Sequence, residues 1–332
     1  MIPKPYLVFV GDAPPSVTTK TAQGVRQWAP RNCAGQWRLA PDAIDLDLPD
    51  LDPAAAVAAG ARSLLIGIAP AGGVLPAAWV PALVQALDAG LDIVSGLHQR
   101  LADVPELAAA ARRAGRALHD VRHNDTRFPV ASGRRRTGRR LLTVGTDCAL
   151  GKKYTALAIT QALRARGIDA DFRATGQTGI MIAGDGIPLD AVVADFVAGA
   201  AETLSPDAAP DHWDVIEGQG AILHPAYGAV TLGLLYGSQP DVLVLCHDPQ
   251  RTAFAGWPDS ALRPLRETMD LYLTLARATN PAPRFAAIAL NTSSLAEAEA
   301  SNLSATLADE HGLPVFDPLR FGIDRAIEEI LT

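Results

Sequence analysis

The sequence predicts an α/β protein built from two parallel-sheet domains, on three observations. Short continuous apolar runs alternate with Ala-rich stretches of helical length along the chain, the pattern of strands covered by helices on both faces. Gly and Pro are abundant, 28 and 25 residues, while aromatics make up only 5%, a balance suited to many tight turns at strand ends. Between Asn124 and Arg140 the series is interrupted by Pro129, Gly133, Gly138 and the arginines Arg134, Arg135, Arg136, Arg139 and Arg140. That composition shift places a boundary dividing residues 1–136 from residues 137–332. The arginine run itself reads as a solvated linker or as a basic rim that attracts an anion.

The elements follow in order. Residues 6–10 form an apolar strand, followed by a weakly patterned stretch carrying Lys20, Thr21 and Gly24. Residues 63–68 are a second strand, 76–89 a helix, and 92–94 a strand that ends in Ser95-Gly96-Leu97-His98. A helix over 104–114 and a strand over 117–121 complete a Rossmann-like N-terminal domain, without the GxGxxG fingerprint. The second series runs strand 141–144, helix 152–166, strand 169–174, and 187–201 mostly helix. Further strands are expected at 214–216, 242–245, 285–290 and 315–316, with helices at 296–310 and 322–331.

With 332 residues, 48% of them hydrophobic, the chain can bury a substantial core, which excludes disorder. Its formal charge of −7 opposes attraction to nucleic acid or an anionic membrane, so neither is expected as a partner. The cysteines Cys33, Cys148 and Cys246 are scattered and odd in number, with no CxxC pair, so neither a disulfide framework nor a structural zinc site is expected. The N-terminal apolar run is too short for a signal peptide, and none approaches the roughly 20 residues needed to span a bilayer. A soluble cytoplasmic protein is expected, acting on a small molecule and working as a homo-oligomer.

The most informative segment runs from the strand at 141–144 into Gly145-Thr146-Asp147-Cys148-Ala149-Leu150-Gly151-Lys152-Lys153-Tyr154. An apolar strand, a Gly-bounded turn and a Gly-Lys pair opening a helix aim backbone N–H groups at an anion, and the lysine adds a mobile positive charge. This is a P-loop NTPase-like arrangement. The usual loop follows Gly-Lys with Ser or Thr, whose hydroxyl binds magnesium; here Lys153 stands there, and Thr155 is turned about 200° round the helix from it. Phosphate binding is kept while the metal ligand is lost, which suits a coenzyme held by its phosphates, such as coenzyme A. ATP, with magnesium held by carboxylates, is the alternative.

Asp214-Val215-Ile216-Glu217-Gly218-Gln219-Gly220 places Glu217 at a strand end, where ligands of open α/β sheets bind. His224, in His224-Pro225-Ala226-Tyr227, follows closely and is a second candidate proton acceptor. Arg173-Ala174-Thr175-Gly176-Gln177-Thr178-Gly179 allows close backbone approach to a ligand, with Gln177 and Thr178 as substrate contacts. Cys246 and His247 are adjacent on an extended segment and point apart, so no metal centre is expected. Arg251 is a fork for a carboxylate or phosphate, and Asn291 is placed to read an adenine edge. Ser95 to His98 and Asp120-Val121-Arg122 end strands of the first domain and are weaker candidates.

Together with Lys20-Thr21-Ala22, Ser95-Gly96-Leu97-His98, Gly237-Ser238-Gln239-Pro240-Asp241 and Ala289-Leu290-Asn291-Thr292, these motifs resemble, over nearly the whole chain, a bacterial family long carried as a domain of unknown function. Its better-described members are DgcN-type D-glutamate N-acetyltransferases. The second domain is also similar to dethiobiotin synthetase-type P-loop proteins, from which Ala149 and Lys153 depart. The resemblance implies acetyl transfer from acetyl-CoA to the amino group of D-glutamate or a related D-amino acid. On that reading Gly145 to Ala149, Gly151, Lys152, Lys153, Tyr154 and Asn291 hold the coenzyme. Glu217, or second His224, takes the proton, and backbone N–H groups of residues 218–220 stabilise the oxyanion. Arg173, Gln177, Thr178, Gln219, Tyr227 and Arg251 contact the substrate. An ATP-dependent ligase or kinase of dethiobiotin-synthetase type is the alternative activity.

Overall fold

The computed structural model describes residues 1–14 and 19–332. The chain divides into two compact units, one of Met1–Asp125 with Gly176–Ala191, the other of Thr126–Thr175 with Val192–Thr332. The second segment of the first unit leaves and re-enters the other unit's sequence, an exchange absent from a contiguous two-part division.

In the first unit, β1 (Tyr6–Gly11), α1 (Lys20–Trp28), β2 (Cys33–Arg38), α2 (Pro53–Ala58), β3 (Ser63–Ile66), α3 (Val80–Asp88), β4 (Asp92–Ser95), α4 (Pro105–Ala114) and β5 (Leu118–Asp120) follow in chain order. The five strands pair in parallel in the order β2-β1-β3-β4-β5. β1 is buried along its whole length, as its unbroken apolar sequence requires of a central strand. β2, Cys-Ala-Gly-Gln-Trp-Arg, has no apolar run to announce it and is held by pairing with β1.

The other unit contains β6 (Arg139–Gly145), α5 (Lys152–Ala165), β7 (Ala170–Arg173), and, after α6 (Gln177–Ala183) of the first unit, α7 (Val197–Leu204) and β8 (Trp213–Ile216). It continues with α8 (Gly228–Ser238), β9 (Val242–His247), the hairpin strands β10 (Ala253–Phe254) and β11 (Trp257–Ala261), and α9 (Leu265–Ala276). β12 (Arg284–Leu290), α10 (Glu297–His311), β13 (Val315–Phe316) and α11 (Ile323–Leu331) complete it. Its six-stranded parallel sheet has the order β13-β12-β9-β6-β8-β7, so β6 is flanked by two strands reached in opposite directions, the switch point where α/β proteins place ligands. Leu141, Val215, Val244 and Ala287 from the sheet pack with Ile159 and Leu163 of α5 and Ile327 and Ile330 of α11 in one core.

Residues 187–201, expected to be mostly helical, instead make two single 3₁₀ turns, Leu189–Ala191 and Ala194–Phe196, before α7 starts. Pro188 and the β-branched pair Val192-Val193 oppose helix entry, and the chain passes between the units there. The glycine-rich 176–179 stretch, expected as a ligand loop, is the first turn of α6, which ends on Gly184 in the left-handed region at φ 85°. The arginine run is only partly solvated. Arg136, 8% exposed, donates to Ser205 O and Gly237 O, each at 2.7 Å, and burial together with neighbouring Arg140 lowers its pKa to about 10. Arg140, 1% exposed, donates to Thr137 O at 2.7 Å. These two guanidiniums cap loop carbonyls inside the unit.

Candidate functional site

The loop after β6 is shaped for an anion by its backbone. Ala149 (φ 54°) and Gly151 (φ 109°) adopt left-handed conformations that curl the chain before α5. Gly151 caps α5 without any side-chain acceptor, so the N–H groups of the first turn face the loop uncapped by side chains. Gly145 leaves little room for a side chain, since a Cβ there would lie 3.0 Å from Asp147 O and 3.1 Å from Lys152 Nζ. Lys152 is enclosed, and its Nζ donates to the neutral carbonyl of Asp147 at 2.8 Å. Burial lowers its pKa, opposed by Cys246, Cys148 and Asp147. An enclosed ammonium bonded to a neutral carbonyl is a place for a ligand phosphate to supply the countercharge.

Asp147 is a knot rather than a ligand-facing group. Its side chain is fully buried. Oδ1 accepts from Cys148 N at 2.6 Å, while Oδ2 accepts from Arg251 Nη1 at 2.7 Å and Ala255 N at 2.9 Å. Burial alone would raise its pKa, but the Ala255, Cys148 and Arg251 hydrogen bonds overcome this and hold the carboxyl below its ordinary value. Arg251 Nη1 also donates to Cys148 O at 2.7 Å. The turn after β9 and the β10–β11 hairpin are thereby tied to the loop. Tyr272 ties it from below, its hydroxyl donating to Gly145 O and accepting from Ile222 N, both at 3.0 Å. His247 Nδ1 lies 3.0 Å from Thr146 Oγ1. Cys246 points the other way, its buried thiol against Thr155 Oγ1 at 3.4 Å.

Glu217 leaves β8 beside this loop, 5% exposed, with Oε2 accepting from Thr175 N at 3.0 Å. Thr175 returns a bond from Oγ1 to Glu217 O at 2.7 Å and accepts from Gln219 Nε2 at 3.1 Å. Tyr154 on α5 faces the same group: burial first, and the Glu217 charge second, raise its pKa. Lys153 turns its ammonium over the Tyr154 ring, 4.5 Å from the centroid. Phosphate loop and carboxylate thus converge at the carboxyl ends of β6 and β8.

Several expected site residues have other partners. Arg173 pairs with Asp214 and Asp171, residues that precede the ends of their strands. With its amide oriented to satisfy both neighbours, Gln177 donates to Gly96 O and accepts from Arg122 Nη1 at 2.8 Å. Thr178 Oγ1 lies 3.3 Å from Thr21 Oγ1. These bonds hold the start of α6 to other parts of the first unit. The Gly218 N–H, expected to face an oxyanion, donates to Thr143 Oγ1 at 3.0 Å. Asn291 Oδ1 accepts from Ser293 N at 3.3 Å, a turn-capping bond. Near it a groove of about 600 Å³ is lined by Pro249, Gln250, Leu295, Glu299, Asn302 and Leu303. Tyr227 is half exposed and stacks on His224 with centroids 4.6 Å apart.

Sequence reasoning did not single out Tyr272, Thr143, Thr175 or Ala255, because each acts through a hydroxyl or a backbone N–H, which no pattern of charged or titratable side chains announces. His247 carried a signal, its place at a strand end beside the loop, but was considered only as a metal ligand.

Asp147, Cys148 and His224 each present a donor atom, all within 4.8 Å of one another. The set does not suit an ion. His224 Nδ1 accepts from Ala226 N at 3.1 Å and Tyr227 N at 3.2 Å, which leaves the proton of the neutral ring on Nε2, the atom that faces the cluster. Metal-bound histidines show the opposite pattern, donating through the other nitrogen. Arg251 and Lys152 also bring two positive charges to Asp147.

Fold and site define a two-unit α/β protein with a P-loop-like turn at the centre of its second sheet. The family model described as a domain of unknown function, DUF1611 C-terminal P-loop domain, matches residues 129–327, and that of the DUF1611 N-terminal Rossmann-like domain matches residues 31–124. The chain belongs to the DUF1611 family. It is 48% identical over 330 residues to a D-glutamate N-acetyltransferase of Tritonibacter scottomollicae, and 42% identical over 329 residues to one of a Pseudoalteromonas species, with 99% of each chain covered in both cases. The crystal structure of a DUF1611 family protein from Anabaena variabilis is similar at 35% identity, covering 99% of both chains with a TM-score of 0.85. Among the described residues, no helix is long and apolar enough to cross a membrane.

Proposed function

We propose that this protein is a D-glutamate N-acetyltransferase, transferring the acetyl group of acetyl-CoA to the amino group of D-glutamate or a related D-amino acid. The end-to-end similarity to two relatives of that name carries the reading. The site supports it with a buried lysine and an open helix N-terminus to hold coenzyme phosphates. Gly145, Thr146, Cys148, Ala149, Gly151, Lys152 and Lys153 would form the cradle, with Asn291 as the residue to read the adenine edge. Glu217 is the base that takes a proton from the substrate ammonium. The free amine then attacks the thioester carbonyl, the C–N bond forms, the C–S bond breaks, and the CoA thiolate leaves to be protonated. Tyr154 and, through Thr175, Gln219 border the carboxylate, Tyr227 is a further substrate contact, and Arg251, pinned beside the loop by Asp147, offers its guanidinium to ligand.

The test is one screen of D- and L-amino acids with acetyl-CoA, following free thiol and confirming the product by mass. Thiol release that depends on D-glutamate is expected. Substrate-dependent release of ADP from ATP and magnesium, without thiol release, would replace this reading with a ligase or kinase.

A further inference from the structure

His224 has an arrangement that neither a base nor a metal ligand needs. Its side chain is 1% exposed, and its ring lies against Tyr227, Phe254 and Trp257 at centroid distances of 4.6, 5.1 and 4.7 Å. Two backbone N–H groups, those of Ala226 and Tyr227, occupy the Nδ1 lone pair. Nε2 is buried without a hydrogen-bond partner. The acceptor it faces is Asp147 Oδ1, at 3.7 Å, just beyond hydrogen-bond range. A buried unsatisfied donor is costly, and a carboxylate within a small movement of it is the group that would remove the cost.

We infer that His224 is a positioning residue, a neutral imidazole locked as an Nε2–H donor that braces Asp147 when the phosphate loop is occupied, and not the proton acceptor of the reaction. The inference rests on the phosphate loop being the ligand site, as proposed above. Asp147 holds the loop by Cys148 N, the turn after β9 by Arg251, and the hairpin by Ala255 N. His224 adds the turn that follows Glu217. A single N–H···O bond would then join the segments bearing the phosphate cradle and the base. Proton acceptance at Nε2 is blocked by the proton already there, and acceptance at Nδ1 would set an N–H against two N–H donors.

Nitrogen NMR of protein labelled with ¹⁵N-histidine reads the tautomer directly, with the His224 signals assigned by their loss in His224→Gln. The expected result at mildly alkaline pH is the Nε2-protonated form, unchanged by added Zn²⁺. A proton on Nδ1, or loss of the Nε2 proton on zinc addition, would overturn the inference. The bracing role is read by binding of inorganic pyrophosphate and of CoA. His224→Leu is expected to weaken both by about tenfold, the worth of roughly one charge-assisted hydrogen bond, and His224→Gln, which keeps an amide N–H there, to recover most of the loss. With kinetics, KM for the coenzyme should rise more than kcat falls. A kcat collapse in both variants at unchanged anion affinity would return His224 to the chemistry. Wild-type protein that binds pyrophosphate but not CoA would sink the acetyltransferase reading and leave this one standing; binding of neither would sink both.

Discussion

Lys152 and Glu217 set opposite demands on the protein. The buried ammonium is bonded to a carbonyl instead of a carboxylate, and burial lowers its pKa. Between that lowered value and the ordinary lysine value the native chain holds fewer protons than the unfolded one, so stability rises with pH through that window, and below it the buried charge counts against the fold. Lys152→Met is therefore expected to raise the melting temperature of ligand-free protein, while Lys152→Ala weakens CoA binding by about tenfold to a hundredfold, the range for a charged hydrogen bond. Calorimetry and thermal unfolding check both. A bound phosphate favours the charged lysine, so binding in the same window should take up a proton, visible as a dependence of the binding enthalpy on the buffer's ionisation enthalpy. Glu217→Gln keeps the carbonyl that accepts from Thr175 N and removes the base, so kcat should fall about a hundredfold or more with little change in CoA affinity; full turnover at saturating substrate would refute the assignment.

At the scale of elements, the site depends on how closely β8 approaches β6. A Cβ on Gly218 would stand 1.7 Å from Thr143 O, a backbone atom that cannot yield without moving the strand. Gly218→Ala should cost about 3 kcal/mol, the upper end for overpacking, and should displace Glu217, lowering turnover and melting temperature together. The strands β1, β3, β4, β6, β8, β9 and β12 were legible because parallel strands buried on both faces need unbroken apolar runs. The phosphate loop was legible because its glycines and lysine have one main use after a strand. β2, α6, α8 and the β10–β11 hairpin were not, since their sequences carry no clear period and their places depend on what they pack against. The arginine run misled for the same reason, as Arg136 and Arg140 serve carbonyls distant in sequence.

Across the whole molecule, the first unit is closed by a segment borrowed from the second half of the chain. Tyr6 Oη donates to Met181 O at 3.0 Å, Lys4 Nζ to Ala183 O at 2.7 Å, and Ile2 N to Gly184 O at 2.8 Å. Residues 1–125 expressed alone should therefore unfold at lower temperature, and exchange amide protons of β1 and α1 faster, than the same residues within the full chain; equal protection would show that residues 176–191 are dispensable. This exchange also explains why Thr175 and Gln177, two residues apart in one motif, have separate duties. The acidic net charge argued against polyanion partners and said nothing of the enclosed Lys152, because net charge is dominated by exposed groups.

By itself the sequence determined the α/β class, the strand-turn-helix phosphate loop and the placement of Glu217 at a strand end, all set by local period and by residues near in sequence. Only the tertiary structure showed that Asp147 joins Cys148, Arg251 and Ala255, that Arg173 pairs with Asp214 and Gln177 with Gly96 and Arg122, and that two backbone N–H groups meet Nδ1 of His224. Those roles depend on which backbone N–H, carbonyl or carboxylate arrives from elsewhere in the chain, and no pattern along the sequence encodes that arrival.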